Sequence, residues 1–182
     1  MQLIQTIQEL TKVVKQHKKS GKTGFVPTMG ALHSGHISLV KQCASENEYC
    51  IVSIYVNPTQ FNDKNDLVRY PRNLESDMKL LEGIGCDIVF TPSDKERYPV
   101  PDNRKFDFGT IETVMQGRFR PGHFNGVGQI VSKLFDVVRP DRAYFGLKDF
   151  QQLAIIKKLT MDYNYPIEIV ACPIVRESDG LA

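Results

Sequence analysis

The chain has 182 residues, 41% of them hydrophobic, enough to bury a full core as one domain or slightly more. Lysine and arginine number 23 against 21 acidic residues, a net charge of +2 too balanced to argue for nucleic acid as the principal partner. Met1 to Leu10 holds no continuous apolar run and no stretch approaches a membrane span, so a soluble cytoplasmic protein is expected, with neither a leader nor a membrane partner.

Leu3, Ile7, Leu10 and Val14 fall at helical spacing and predict a first helix to about Lys19, stopped by Gly21. Lys12, Lys15, Lys18, Lys19 and Lys22 read as its solvated basic face. Gly24 to Val26 predicts a buried strand, followed by a loop from Pro27 to Gly35 in which Pro27 holds the turn out of the strand. A helix is expected to open near His36, with Ile37, Leu39, Val40 and Ala44 on its apolar side. The β-branched run Cys50 to Val56 predicts the next buried strand, the stretch from Asn57 to Tyr70 a loop, and Leu74 to Leu81 a helix closed by Gly83. Asp87 to Phe90 reads as a strand, and the Pro-, Asp- and Arg-rich stretch from Pro92 to Asp107 as a surface excursion.

Val127, Ile130, Val131, Leu134, Phe135 and Val138 form a clear helical stripe. A strand from Ala143 to Phe145, a helix from Phe150 to Met161 capped by Asp149, and a strand from Ile167 to Ala171 complete the order. Cys43, Cys50, Cys86 and Cys172 show no C-x-x-C spacing and read as free thiols of a reducing compartment. Strands separated by helices imply parallel pairing with right-handed crossovers, hence a doubly wound parallel α/β sheet.

In such a sheet ligands bind beyond the carboxyl ends of the strands. Three loops there carry unusual polar residues. The first places His33 and His36 beside a helix N-terminus, where unpaired N–H groups and the helix dipole favour an anion, and Gly30 and Gly35 leave room for it. A metal-binding or purely structural histidine pair is the alternative on spacing alone. The second loop, Asn57-Pro58-Thr59-Gln60, offers amides able to donate to a carboxylate while accepting from a hydroxyl; an ordinary Asn-Pro turn is the plainer reading. In the third, Gly146-Leu147-Lys148-Asp149 with Gln151 and Gln152, Lys148 suits phosphate oxygens, while Asp149 caps the helix or holds Mg²⁺.

The string PTMGALHSGH, with H-S-G-H in place of H-x-G-H, resembles the adenylate-forming nucleotidyltransferases related to class I aminoacyl-tRNA synthetases, and within them the pantothenate synthetase family. V-N-P-T-Q-F, Y-F-G-L-K-D-F-Q-Q-L, the Arg118 to Gly126 segment and P-I-V-R-E-S-D-G-L-A resemble further motifs of that family, so the likeness runs through the whole chain. It implies a Rossmann-like fold of H-x-G-H type, with residues 1–182 forming the ATP- and pantoate-binding domain. The Ser-Ser-Arg loop and C-terminal domain that follow in the family are expected to be absent, and catalysis impaired.

The resemblance also implies the activity, an AMP-forming acid-amine ligase that joins pantoate and beta-alanine through pantoyl-adenylate. It further implies Mg²⁺ and, for the full-length protein, a homodimer. Met29, Gly30, Ala31, Leu32, His33, Ser34, Gly35, His36, Gly146, Leu147, Lys148, Asp149 and Val175 correspond to ATP-binding positions, with Leu147 acting through its backbone. Gln60 and Gln152 correspond to the pantoate and beta-alanine site. His33, His36 and Lys148 are the implied catalytic groups, with His36 the proton donor. Asp77 corresponds to a metal-side acid, against the plainer reading of a solvated helix carboxylate, and His123 is read as pocket-forming rather than catalytic. Another H-x-G-H nucleotidyltransferase and a non-catalytic association module are the rival readings.

Overall fold

The computed structural model describes residues 1–98, 100 and 102–182. In chain order they form β1 (Gln2–Ile4), α1 (Ile7–His17), β2 (Thr23–Thr28), α2 (Ser34–Glu46) and β3 (Tyr49–Ile54). Next come a 3₁₀ turn at Pro58–Gln60, α3 (Lys64–Arg69), α4 (Leu74–Leu81), β4 (Ile88–Phe90) and α5 (Asp94–Arg97). A second 3₁₀ turn at Gly109–Glu112 leads to α6 (Met115–Phe119), α7 (His123–Val138) and β5 (Arg142–Gly146). A third at Leu147–Asp149 leads into α8 (Phe150–Asp162) and β6 (Glu168–Cys172). The described strands form one six-stranded sheet in the order β1-β4-β3-β2-β5-β6. Every pairing is parallel.

Alternation along each strand sends side chains into two cores. Phe25, Ile51, Ile88, Phe90, Ala143 and Phe145 face α1, α7 and α8. Val26, Cys50, Val52, Val89, Tyr144 and Cys172 face α2 and α4. Buried on both sides, the central strands read as unbroken apolar runs, which is why they were legible. All four cysteines are free and lie in the second core. Burial pushes the Cys86 thiol up to about 12 and that of Cys172 up to about 11.

Four differences from the sequence reading have physical causes. Leu3 belongs to a strand, not to the first helix: Gln2–Ile4 pairs with β4, and the helix begins only after Thr6, whose hydroxyl accepts from the Glu9 N–H at 3.2 Å. Pro27 sits inside β2, opposite Ser53 of β3. Pairing of β2 with β5 has already ended at Phe25, so the missing N–H interrupts no ladder on that side. The presumed loop from Asn57 to Tyr70 holds the Pro58–Gln60 turn and α3.

The stretch from Pro92 to Asp107, read as a surface excursion, is for the most part a strap bound to α7; its Pro99 and Pro101 lie outside the described residues. Arg97 and Phe106 are buried, as is the following Phe108. The Asp102 carboxylate meets Arg104 at 2.7 Å and Lys133 of α7 at 3.3 Å. Phe106 and Phe108 close over Gly128, where a Cβ would stand 2.9 Å from the Phe108 ring.

Phe25, fully buried in β2 and edge-on to Phe135 of α7 at 6.5 Å, ties sheet to helix. Phe25→Ala is expected to cost about 3–5 kcal/mol in denaturant unfolding, because the close-packed layer cannot collapse into the void.

Candidate active site

Strand order reverses between β2 and β5, and the helices that follow them, α2 and α8, lie on opposite faces of the sheet. Both helices start at the same edge, so two N-termini flank one crevice. The loop from β2 into α2 reaches it through a tight turn: Gly30 has φ 80° and Ala31 φ 50°, a left-handed conformation that costs a non-glycine residue about 1 kcal/mol. Two interactions hold the turn. Thr28 Oγ1 donates to the Ser53 carbonyl at 2.8 Å and accepts from the Gly30 N–H. The carboxylate of Asp77, from α4, accepts from the Ala31 N–H at 3.1 Å and the Leu32 N–H at 2.8 Å.

The crevice is a cleft of about 380 Å³. His33 and His36 line one end with their ring centroids 4.2 Å apart. His33 occupies the N-cap of α2, which starts at Ser34, two residues before the expected start, and its Nδ1 accepts from the Gly35 N–H at 3.1 Å. That bond fixes the tautomer and leaves Nε2–H as the free donor. His36 Nδ1 is buried with no partner among the described residues. Burial, and then the neighbouring His33, lower the pKa of His36 to about 4 against the opposing pull of Asp77 and Asp149, with Lys148 adding to the depression.

Across the cleft, Gly146, Lys148 and Asp149 line the wall below α8, and Lys148 Nζ stands 3.8 Å from Asp149 Oδ1. Asp149 occupies the N-cap position without forming a side-chain cap, a correction to the capping expected from sequence. Met29, Gly35 and Val175 also reach the cleft. Gly30, Ala31, Leu32, Ser34 and Leu147 do not line it: Leu32 is buried in the second core, and Ser34 and Leu147 face outward.

Gln60 and Gln152 also line the cleft, Gln152 one helical turn beyond Asp149 on α8. Gln60 Nε2 donates to Met29 Sδ at 2.8 Å, and the backbone beneath it is clamped. His123 Nδ1 donates to the Gln60 carbonyl at 2.8 Å, and Gly126 lies so close that a Cβ would stand 2.4 Å from the Thr59 carbonyl oxygen. His123 is therefore a buried first residue of α7 supporting the wall from behind. Gln151 points away and stitches the stretch before and within α6 to α8 through Ile111 O, Val114 O and Gln116 N–H.

Asp77 departs most from the plain reading of a solvated carboxylate. It is only 3% exposed, does not line the cleft, and has both oxygens engaged by the β2–α2 loop. Among the described residues no group of three or more His, Cys, Asp or Glu side chains could hold a metal ion. Asn57 and Tyr55 also line the cleft. Tyr55, read from sequence as part of the strand Cys50 to Val56, stands just past the end of β3 at Ile54.

Residues 2–182 match the Pantoate-beta-alanine ligase family. The chain belongs to that family. It is 60% identical over its whole length to the pantothenate synthetase of Bacteroides fragilis, of which it covers 65%. Among solved structures it is similar to the pantoate-beta-alanine ligase of Francisella tularensis complexed with beta-gamma ATP and beta-alanine, at 42% identity and TM-score 0.96, covering all of this chain and 70% of that one. The pantothenate synthetase of Thermus thermophilus gives 42% identity and TM-score 0.93, with all of this chain and 65% of that one covered. The chain thus spans about 65% of the length of the first curated relatives it matches.

Two outcomes follow from this geometry. Asp77→Ala leaves two loop N–H groups without their acceptor and is expected to cost about 2–4 kcal/mol in thermal or denaturant unfolding. His36 should remain neutral near pH 6 and titrate near pH 4 in an imidazole NMR series. Because its folded pKa lies below the unfolded one, the unfolded chain binds the extra proton first. The stability that neutral His36 contributes is full above pH 6.5 and falls as the pH drops towards 4; His36→Ala should flatten that part of the stability profile.

Proposed function

We propose that residues 1–182 form one ATP- and pantoate-binding domain whose cleft joins the two substrates as pantoyl-adenylate, releasing pyrophosphate, and then admits beta-alanine to give pantothenate and AMP. The observation that carries this reading is one cleft lined both by anion-binding groups, His33, His36 and Lys148, and by the amides of Gln60 and Gln152. The complexed relative, with its ATP and beta-alanine ligands, supports the same assignment.

Pantoate's carboxylate oxygen attacks the α-phosphorus as the bond to pyrophosphate breaks. Gln60 and Gln152 hold the acid for in-line approach, and His33, His36 and Lys148 take up charge on the departing phosphates. His36 enters as a neutral N–H donor. A polyphosphate anion beside it raises its pKa, so nucleotide binding and proton uptake are coupled, and the proton can then be given to the leaving group. The unprotonated amine of beta-alanine next attacks the acyl carbon and AMP departs with the bonding pair.

Among the described residues Asp149 supplies the one Asp or Glu side chain that lines the cleft, and one carboxylate completed by phosphate oxygens and water is a usual magnesium set, so this residue would hold Mg²⁺. The ion supplies charge neutralisation on the phosphates. A cytoplasmic homodimer belongs to the same proposal; no helix among the described residues is long and apolar enough to cross a membrane.

The test is exchange of labelled pyrophosphate into ATP. Exchange that requires pantoate and proceeds without beta-alanine is expected, whereas exchange indifferent to pantoate would overturn the reading. His36→Ala should lower the exchange rate by about 10²-fold or more. Gln60→Ala should weaken pantoate while sparing ATP in paired calorimetric titrations, since the amide is assigned to the acid.

A further inference from the structure

We infer that Tyr98 is a positioning residue for the acid substrate, acting through Asn57 to turn the amide N–H groups of Gln60 toward the cleft; this rests on the function proposed above. Tyr98 follows α5, far from every motif, yet its hydroxyl donates to Asn57 Oδ1 at 2.8 Å. Thr59 Oγ1 donates to the same oxygen at 3.2 Å. Asn57 is 1% exposed, and its Nδ2 donates to the Gly126 carbonyl at 3.1 Å and to Gln60 Oε1 at 3.4 Å.

These partners fix every orientation in the row. The Gly126 carbonyl, which can only accept, marks one end of the Asn57 amide as nitrogen, so the end that meets the Tyr98 and Thr59 hydroxyls is the oxygen and they donate to it. The Asn57 nitrogen then requires oxygen from Gln60. The Gln60 nitrogen is left facing Met29 Sδ at the cleft wall. Donors point the same way from Tyr98 through Asn57 to Gln60, an arrangement in which each bond strengthens the next. The end that meets substrate is a donor, so it selects an acceptor oxygen such as that of a carboxylate or a hydroxyl lone pair.

Burial raises the Tyr98 pKa, keeping the hydroxyl a donor throughout the working range. Lys133 Nζ lies 5.0 Å from the centre of the ring and helps hold it in place.

Calorimetric titration of the full chain with pantoate and, separately, with MgATP tests this. Tyr98→Phe deletes one hydroxyl and is expected to weaken pantoate about fivefold, the worth of one hydrogen bond, with ATP affinity and melting temperature unchanged. In a Gln60→Ala background the same change should have no further effect on pantoate, because its action passes through that amide. Thr59→Val, which removes the second donor to Asn57, should act in the same direction and provides the result if Tyr98→Phe does not fold. Equal loss for both ligands, an undiminished effect in the Gln60→Ala background, or unchanged pantoate binding would each overturn the inference. A wild-type chain that binds neither ligand would sink the functional reading itself, and the inference with it; a wild type that binds pantoate isolates the fate of Tyr98.

Discussion

The buried carboxylate of Asp77 is the constraint on which the geometry of the cleft depends. A loop that leaves the central strand, turns through two left-handed residues and starts a helix within a few positions has N–H groups that no regular structure can satisfy. The Leu32 N–H is also shut off from solvent, since Leu32 lies in the second core. Asp77 accepts from both Ala31 and Leu32 and comes from a helix of its own, so it fastens the loop to α4. Gly30 is part of the same fit, because a Cβ there would stand 2.9 Å from an Asp77 oxygen. The placement of His33 at the helix cap, and of His36 one turn on, follows from where that loop is held.

The parallel sheet supplies the remainder. Reversal of strand order beside β2 is what brings Lys148 and Asp149, more than a hundred residues away in sequence, opposite the histidine pair. The amide end is built differently. Gln60 follows the adjacent strand and is held from behind by α7, through His123 on its carbonyl and the bare backbone of Gly126. The histidine and lysine groups are therefore brought together by strand order, and Gln60 by a helix pressed against a turn, so a change in α7 can displace Gln60 without moving the β2–α2 loop.

This division explains what sequence could tell. Central strands, α2, α7 and α8 were legible because burial on two faces or on one stripe leaves a periodic record, and H-S-G-H and G-L-K-D stand beside those elements. Strand β1 escaped because three residues carry no period and Leu3 happens to lie in phase with the helix that follows. Asp77 sits on α4 among exposed charges, and nothing local distinguishes a carboxylate that faces a distant loop from one that faces water. The same holds for Tyr98 and Gly126, whose roles exist only across 41 and 69 residues of separation from Asn57. Local chemistry announced the groups positioned to meet ligand, and long-range contacts that leave no pattern hold them in place.

The electrostatics of the histidine end also restrict the order in which charge can appear. A His36 ring held neutral by burial adds no positive charge to the empty cleft, leaving Lys148, partly compensated by Asp149, as the chief fixed cation on the opposite wall. An anion entering between them reverses the balance that keeps His36 neutral, since its charge offsets the desolvation that lowered the pKa. In the function proposed above, protonation thus follows occupancy, and a ring that gains its proton only when phosphate is beside it holds a transferable proton when a leaving group needs one.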